Sequence, residues 1–289
     1  MRWVTVLTEH GPRACGVWQG EYVDVNAADP EAPSSVRGLL ELGPAGQQRV
    51  WDALERGAKR YDPAQATLLA PIPDPRKIIC LGLNYRDHAA ESGMDIPTEP
   101  ILFSKYPTTL IGHQAEIVLP AVSEQVDYEA ELVIVIGRKG RHIPREQAME
   151  YVAGYTVGHD VSARDWQLNK PGKQWMAGKT FDTFAPVGPE LVMRDEVPDP
   201  HALGIRLRLN GQTMQDSSTS QLIFRVDETI AYLSKIMTLE PGDLIFTGTP
   251  PGVGMARKPP VWLKPGDVVE VEIDGLGTLR NTVKAESHA

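Results

Sequence analysis

The sequence has 289 residues, of which 42% are hydrophobic and 23% are charged, a balance that is typical of a globular protein and excludes intrinsic disorder. The formal net charge is −9, and no run of lysine and arginine exceeds two residues, so we do not expect a nucleic-acid partner. Two cysteines are too few for a disulfide scaffold. The first residues lack the apolar core of a signal peptide, and no stretch approaches the roughly 18 apolar residues that span a bilayer. Together these features predict a cytoplasmic protein without a membrane partner.

The first 70 residues predict a small α/β domain. Alternating or apolar runs over 2–7, 14–18 and 21–25 predict three short strands, because glycine-containing turn signals separate them. Apolar residues at helical spacing predict helices within 34–60. Three prolines follow between residues 70 and 75, and they cannot continue a helix or a central strand. We therefore predict a domain boundary there, with a second domain over 76–289.

The second domain is rich in strand signals. The aliphatic run 132–136 predicts a strand that is buried on both faces. Runs 205–209 and 268–273 alternate, and each leads into an Asn-Gly or Asp-Gly turn signal that is typical of a hairpin. Helical patterns are fewer, over 144–152 and 226–236. The predicted fold class is α+β, mainly β.

Three carboxylates lie at the ends of apolar strand signals. Glu129 and Glu131 precede the run 132–136, and strand alternation places their side chains on one face. Asp160 ends the apolar run 154–161. The alternative is that these carboxylates lie in solvent at the ends of strands, because charged groups are usually exposed. Buried together they would repel one another, so we favour a divalent cation among them, and oxygen ligands without thiol or imidazole suit Mg²⁺ or Mn²⁺.

His88 and Glu91 form a second pattern after the predicted strand 77–81. Their spacing of three places them on one face of a helix. A carboxylate beside the imidazole orients the ring and favours a general base near neutral pH. The alternative is an ordinary surface pair. We favour the catalytic interpretation because the pair follows a strand directly.

Six sequence blocks in order resemble the fumarylacetoacetate hydrolase family, from about residue 77 to the C-terminus. They are N-Y-x-x-H-x-x-E from Asn84, F-S-K from Phe103, D-Y-E-x-E-L from Asp127, G-x-D-x-S-x-R-D-W-Q from Gly158, G-K-x-F-D from Gly178, and G-D-x-I-x-T-G-T-P-x-G-V-G from Gly242. The residues ahead of His88 lack the extra acidic ligand of the larger animal-type hydrolases, so the chain is similar to the smaller, three-carboxylate members.

The resemblance implies a fold, a site and an assembly. The fold would be a mixed β-sandwich roll preceded by the small N-terminal domain, and the protein would be a homodimer. Glu129, Glu131 and Asp160 match metal ligands, usually of Mg²⁺, and His88 with Glu91 matches the pair that activates water. Further matches are Lys179, which stabilises enolate charge, and Thr249, which holds the acidic end of the substrate.

Three more residues are candidates for substrate binding: Lys105, Arg86 and Gln167. The function that we expect first is metal-dependent hydrolysis of a C–C bond in a small acylpyruvate-like 2-keto acid. The same site would also support decarboxylation of oxaloacetate or isomerisation of a 5-carboxymethyl-2-hydroxymuconate-type compound, because both need enolate stabilisation. An alternative of another class is a non-catalytic, ion-stabilised binding protein, which would have no use for the His88–Glu91 pair.

Overall fold

The computed structural model describes residues 1–287, and more of them lie in strands than in helices, which confirms the α+β, mainly β class. The strands are β1 (Arg2–Thr8), β2 (Gly11–Trp18), β3 (Glu21–Asp24), β4 (Arg60–Tyr61), β5 (Leu68–Leu69), β6 (Ile78–Gly82), β7 (Ile101–Lys105), β8 (Leu110–Ile111), β9 (Glu116–Leu119), β10 (Val126–Asp127), β11 (Ala130–Ile136), β12 (Val152–His159), β13 (Ser162–Ala163), β14 (Ala185–Met193), β15 (Gly204–Leu209), β16 (Gln212–Ser218), β17 (Leu244–Phe246), β18 (Val268–Ile273) and β19 (Gly277–Ala285).

The helices are short, and none in the described residues is long and apolar enough to cross a bilayer. The α-helices are α1 (Val25–Ala28), α2 (Val36–Glu41), α3 (Gly43–Ala53), α4 (Arg86–Ser92), α5 (Arg164–Asn169), α6 (Met176–Lys179) and α7 (Val226–Ile236). The 3₁₀ helices are Leu54–Arg56, Pro107–Thr109, Arg145–Tyr151, Pro171–Lys173, Arg194–Glu196, Thr219–Gln221 and Gly254–Ala256.

Two mixed sheets form the body of the protein. The larger has the order β4-β3-β2-β1-β14-β12-β11-β17-β6-β7, with β5 also paired to β1 and β8 to β14. The smaller has the order β16-β15-β18-β19-β9, and β10 pairs separately with β13. Strands β11 and β12 are antiparallel, and Ala130 lies opposite His159. This register places the start of β11 beside the end of β12, where the predicted carboxylates occur.

Strand β11 is buried on both faces, as its aliphatic run predicted. Ile134 belongs to a core cluster that includes Ile205 and Val271 of the smaller sheet. Val133 and Val135 point the other way, into a cluster that includes Leu39 of α2. Such a strand is held rigidly because apolar side chains are close-packed on either side.

The local predictions in the second domain are largely confirmed. Asn210 and Gly211 both have positive φ, of 52° and 80°, and they turn β15 into β16 as the Asn-Gly signal predicted. Helix α7 has the predicted bounds, and the backbone N–H of Arg225 donates to Glu228 Oε2 at 3.0 Å to cap its first turn. The helix predicted over 144–152 is the tighter 3₁₀ helix Arg145–Tyr151.

Strands on both sides of the proline-rich segment belong to one sheet. Arg2 and Trp3 of β1 pair with Val192 and Leu191 of β14. The sheet is therefore continuous between the two predicted domains, and the division at residues 70–76 stays a prediction.

Candidate active site

The three predicted metal ligands lie together. Glu129 and Glu131 flank Ala130 at the start of β11, and Asp160 follows β12 directly. The backbone N–H of Asp160 donates to the carbonyl of Glu129 at 2.9 Å, which joins the two strand ends. Carboxylate oxygens of the three residues lie within 4.8 Å of one another, and all three residues are buried. Their role as ligands stays a prediction, but the required convergence is present.

Two of these carboxylates are paired with buried cations. Lys179 Nζ lies 2.7 Å from Glu129 Oε2 and 2.8 Å from Asp160 Oδ2. Lys105 Nζ lies 2.7 Å from Asp160 Oδ1, and Arg164 Nη2 lies 2.6 Å from Glu129 Oε1. Burial alone would raise the pKa of Glu129, but the charges of Lys179 and Arg164 outweigh it and lower that pKa. Glu129 is therefore held ionised.

Glu131 is the exception in the cluster. Its Oε2 accepts a hydrogen bond of 2.7 Å from the backbone N–H of Gly248, and among residues 1–287 it takes part in no ion pair. Burial raises its pKa well above the ordinary value, and the negative charges of Asp160 and Glu129 raise it further. A hard divalent cation bound between these carboxylates would offset this unbalanced charge, so the donor set fits Mg²⁺ or Mn²⁺.

The predicted acid–base pair is formed on α4. His88 Nδ1 lies 3.1 Å from Glu91 Oε2, and both side chains are partly exposed. The backbone N–H of Gly252 donates to Glu91 at 2.9 Å, which fixes the carboxylate from the other side. A positive charge on His88 would lower the pKa of Glu129, so the pair lies within electrostatic reach of the cluster. With Nδ1 facing a carboxylate, Nε2 is the ring atom available to a reactant.

Two of the predicted substrate contacts already have protein partners. The ammonium of Lys105 is buried and donates to the carbonyls of Val161 at 3.1 Å and Phe184 at 2.8 Å, besides its ion pair in the cluster. Arg86 is exposed and donates to the carbonyl of Leu222 at 2.6 Å. For Lys105 these contacts favour a role in holding the cluster over direct contact with substrate.

Gln167 and Thr249 are the other two predicted substrate contacts, and both are buried. Gln167 Oε1 accepts a hydrogen bond of 2.8 Å from Arg164 Nη1. Thr249 Oγ1 accepts one of 2.8 Å from Gln215 Nε2. Thr249 lies in the glycine-rich segment after β17, one residue from the Gly248 N–H that contacts Glu131.

The glycine-rich segment needs glycine at its bends. Gly248 and Gly252 have φ of 95° and 102°, a conformation that other residues rarely adopt. A Cβ on Gly252 would lie 2.1 Å from the carbonyl oxygen of Met214. The segment can therefore approach β16 and the cluster only because these positions carry no side chain.

Three residues that contact the cluster or the segments beside it were missed from the sequence. Arg164 contacts Asp127 at 2.8 Å as well as Glu129, and Asp127 also accepts backbone hydrogen bonds from Gly254 at 2.6 Å and Met255 at 3.0 Å. Asp127 and Arg164 lie inside the blocks that carried the family resemblance, which was the only signal for them. Gln215 lies outside every block, and no sequence signal marked it.

Comparison with known proteins identifies the family. A family model described as fumarylacetoacetate (FAA) hydrolase, C-terminal, matches residues 77–284. The chain belongs to the fumarylacetoacetate hydrolase family. A mitochondrial oxaloacetate tautomerase of Xenopus laevis is 52% identical over 264 residues, which cover 91% of this chain and 83% of that protein. The family and fold expected from the resemblance are thereby confirmed, and the chain is an enzyme of this family rather than a non-catalytic binding protein.

Solved structures agree with this assignment. A fumarylacetoacetate hydrolase from Exiguobacterium antarcticum has a TM-score of 0.86 and 38% identity, covering 99% of this chain and 100% of that one. A maleylpyruvate hydrolase from Sphingobium sp. SYK-6, solved with manganese(II) and pyruvate, has a TM-score of 0.80 and 33% identity with the same coverage. Members of the family therefore bind a divalent metal, and the buried carboxylates of this chain are suited to one.

The prediction of a cytoplasmic protein is wrong. The Xenopus relative, which is 52% identical to this chain, is named as mitochondrial, and that finding contradicts the cytoplasmic prediction. The prediction failed because two free, buried cysteines are compatible with any reducing compartment and do not distinguish between them.

Proposed function

We propose that the enzyme interconverts the keto and enol forms of a small 2-oxo dicarboxylic acid such as oxaloacetate. The observation that carries the proposal is the buried carboxylate cluster with its unbalanced Glu131, in a chain 52% identical to an oxaloacetate tautomerase. This reaction uses the site of the decarboxylase and isomerase alternatives considered from the sequence. The hydrolase expectation becomes the second candidate.

Glu129, Glu131 and Asp160 would hold the divalent cation, as Mg²⁺ or Mn²⁺. When bound there, the ion would polarise the 2-oxo group and offset negative charge on its oxygen. Lys179 contributes to the same charge balance from within the protein. Its ammonium contacts both Glu129 and Asp160, and their attraction raises its pKa against the effect of burial, so it stays charged beside the bound acid.

His88 carries the proton in this proposal. Tautomerisation removes one proton from C3 and adds one to the oxygen on C2, so the composition of the substrate does not change. Glu91 accepts from Nδ1–H and leaves the Nε2 lone pair to take the C3 proton and deliver it to the oxygen on C2, and the reverse transfer regenerates the keto form. The Gly252 N–H on Glu91 keeps this orientation fixed during turnover.

Thr249 binds a carboxylate of the substrate through its hydroxyl. The segment that carries it is fixed to Glu131 through the Gly248 N–H, one residue before Thr249. Gln167 supports Arg164 and thereby Glu129. The homodimer implied by the family resemblance stays a prediction.

Hydrolysis of a C–C bond is the second candidate function. The His88–Glu91 pair can activate a water molecule by the same proton transfer, and a solved neighbour of this chain is a maleylpyruvate hydrolase. The two reactions differ in product, because hydrolysis releases two acids from a β-diketo acid and tautomerisation releases none.

The test is a side-by-side assay in Mg²⁺ of enol-oxaloacetate, an acylpyruvate, maleylpyruvate and a hydroxymuconate-type isomer. We expect the ultraviolet absorbance of the enol to decay far faster with enzyme than in buffer, without matching release of pyruvate. Faster turnover of the acylpyruvate or maleylpyruvate would replace the proposal by hydrolysis, and pyruvate formed at the rate of enol loss would replace it by decarboxylation.

A further inference from the structure

Gln215 is buried beneath the site, on β16 of the smaller sheet. Its Oε1 accepts a hydrogen bond of 2.9 Å from the backbone N–H of Ala130, the residue between Glu129 and Glu131. Its Nε2 donates to the carbonyl of Pro250 and to Thr249 Oγ1, each at 2.8 Å. One side chain of the smaller sheet therefore joins the carboxylate strand to the segment that carries Thr249.

The orientation of the Gln215 amide follows from its partners. The backbone N–H of Ala130 can only donate, so the atom facing it is the amide oxygen. The carbonyl of Pro250 can only accept, so the atom facing it is the amide nitrogen. The second amide hydrogen then points at Thr249 Oγ1, which must act as the acceptor.

This arrangement determines the direction of the Thr249 hydroxyl. Because Oγ1 accepts from Gln215, its own hydrogen is left to donate. Within residues 1–287 the Thr249 hydroxyl donates to no protein group. A buried hydroxyl with a remaining donor suits an anionic acceptor, and a substrate carboxylate is one.

We propose that Gln215 is a positioning residue that holds the Thr249 hydroxyl as a donor to a carboxylate of the substrate. The inference rests on the proposed function, because that function assigns Thr249 to the carboxylate. Without the Gln215 amide, the carbonyl of Pro250 loses its donor, and the Thr249 hydroxyl can turn to that carbonyl instead of to the substrate.

The test is a double-mutant cycle of Gln215→Met and Thr249→Val, read as the Kd of oxalate with Mg²⁺ by calorimetry and as kcat and KM with oxaloacetate. Methionine has a similar volume and no amide, and valine replaces threonine without the hydroxyl. Loss of one hydrogen bond to a charged group should weaken oxalate binding on the order of 10- to 100-fold in either single variant. The double variant should bind no more weakly than Thr249→Val alone.

Three further variants complete the experiment. Thr249→Ser keeps the hydroxyl. In that background, Gln215→Met should still weaken oxalate binding. Thr213→Val, an exposed change on the same strand, should leave oxalate binding unchanged. Gln215→Asn keeps the amide but is one methylene too short to reach both partners. It should weaken oxalate binding as much as Gln215→Met does, and it takes the place of that variant in the cycle if Gln215→Met folds poorly.

Additive losses in the cycle, or unchanged oxalate binding in Gln215→Met, would overturn the positioning role. Failure of the proposed function looks different. In that case the unmodified enzyme binds oxalate with the expected coupling in the cycle but does not accelerate the decay of enol-oxaloacetate.

Discussion

His88 and Glu91 form a side-chain pair within α4, with His88 Nδ1 3.1 Å from Glu91 Oε2. Replacing His88 by Gln should lower kcat by about 10²–10⁴-fold, because the chain loses its proton carrier. Affinity for Mn²⁺ should change little, since His88 is not among the three carboxylates. His10→Gln is the matched control, because that histidine is exposed in the turn between β1 and β2. Undiminished turnover in His88→Gln would remove the acid–base assignment.

Asp160→Asn should weaken Mn²⁺ binding, because it removes one of three charged oxygen donors. The loss should exceed the roughly 10- to 100-fold typical of removing a group that only supports a ligand. Titration calorimetry or the electron paramagnetic resonance of free Mn²⁺ measures it. Asp195→Asn, at an exposed aspartate, serves as the control. Equal Mn²⁺ affinity in the two variants would argue against Asp160 as a ligand.

Glu131→Gln should stabilise the metal-free protein and abolish its stabilisation by metal. The buried Glu131 has a raised pKa, so its contribution to stability is present below the ordinary glutamate pKa and is lost as pH rises above that value. The gain in the free energy of unfolding from Glu131→Gln should therefore grow with pH. Each 1 kcal/mol of this free energy raises the Tm by roughly 2–4 °C in a chain of this size.

Thermal unfolding in EDTA and in Mg²⁺, followed from pH 5 to 8, checks this prediction. The Tm of the unmodified protein should rise when Mg²⁺ is added, and the Tm of Glu131→Gln should not. A lower Tm for Glu131→Gln in EDTA throughout this range would show that Glu131 stabilises the metal-free fold and would contradict the charge argument.

Arg164 joins Asp127 to Glu129. Arg164→Gln should destabilise the protein by about 3–5 kcal/mol, because it leaves the buried Asp127 without a cationic partner among the described residues and removes one of the two that Glu129 has. Arg164→Lys should recover only part of this loss, since a lysine keeps the charge but lacks the fork of donors with which the guanidinium contacts Asp127, Glu129 and Gln167. Arg145→Gln breaks an exposed pair with Asp227 and should cost at most about 1 kcal/mol. Denaturant unfolding measures the free energy of unfolding of the three variants. Similar losses for Arg164→Gln and Arg145→Gln would show that Arg164 does not bridge Asp127 and Glu129 in a way that stabilises the fold.

The sequence could predict the parts of the site that depend on local pattern. The aliphatic run of β11 indicated a buried strand, and alternation placed Glu129 and Glu131 on one side of it. Asp160 followed from the same reasoning at the end of β12. The i, i+3 spacing of His88 and Glu91 likewise indicated a pair on α4.

The remaining contacts depend on which distant segments pack together. Gln215 reaches Ala130 across 85 positions, and only the packing of the smaller sheet under β11 brings them into contact. The carbonyl groups that surround Lys105 come from three separate segments, so its burial had no local signature. A single arginine such as Arg164 is usually exposed, and nothing local marked this one as buried.

The most direct measurement is a crystal grown or soaked with Mn²⁺ and oxalate and examined by anomalous diffraction. We predict one manganese peak in ligand contact with Glu129, Glu131 and Asp160, with an oxalate carboxylate hydrogen-bonded to the hydroxyl of Thr249. A manganese peak elsewhere, or no peak among these three carboxylates, would contradict the account of the site.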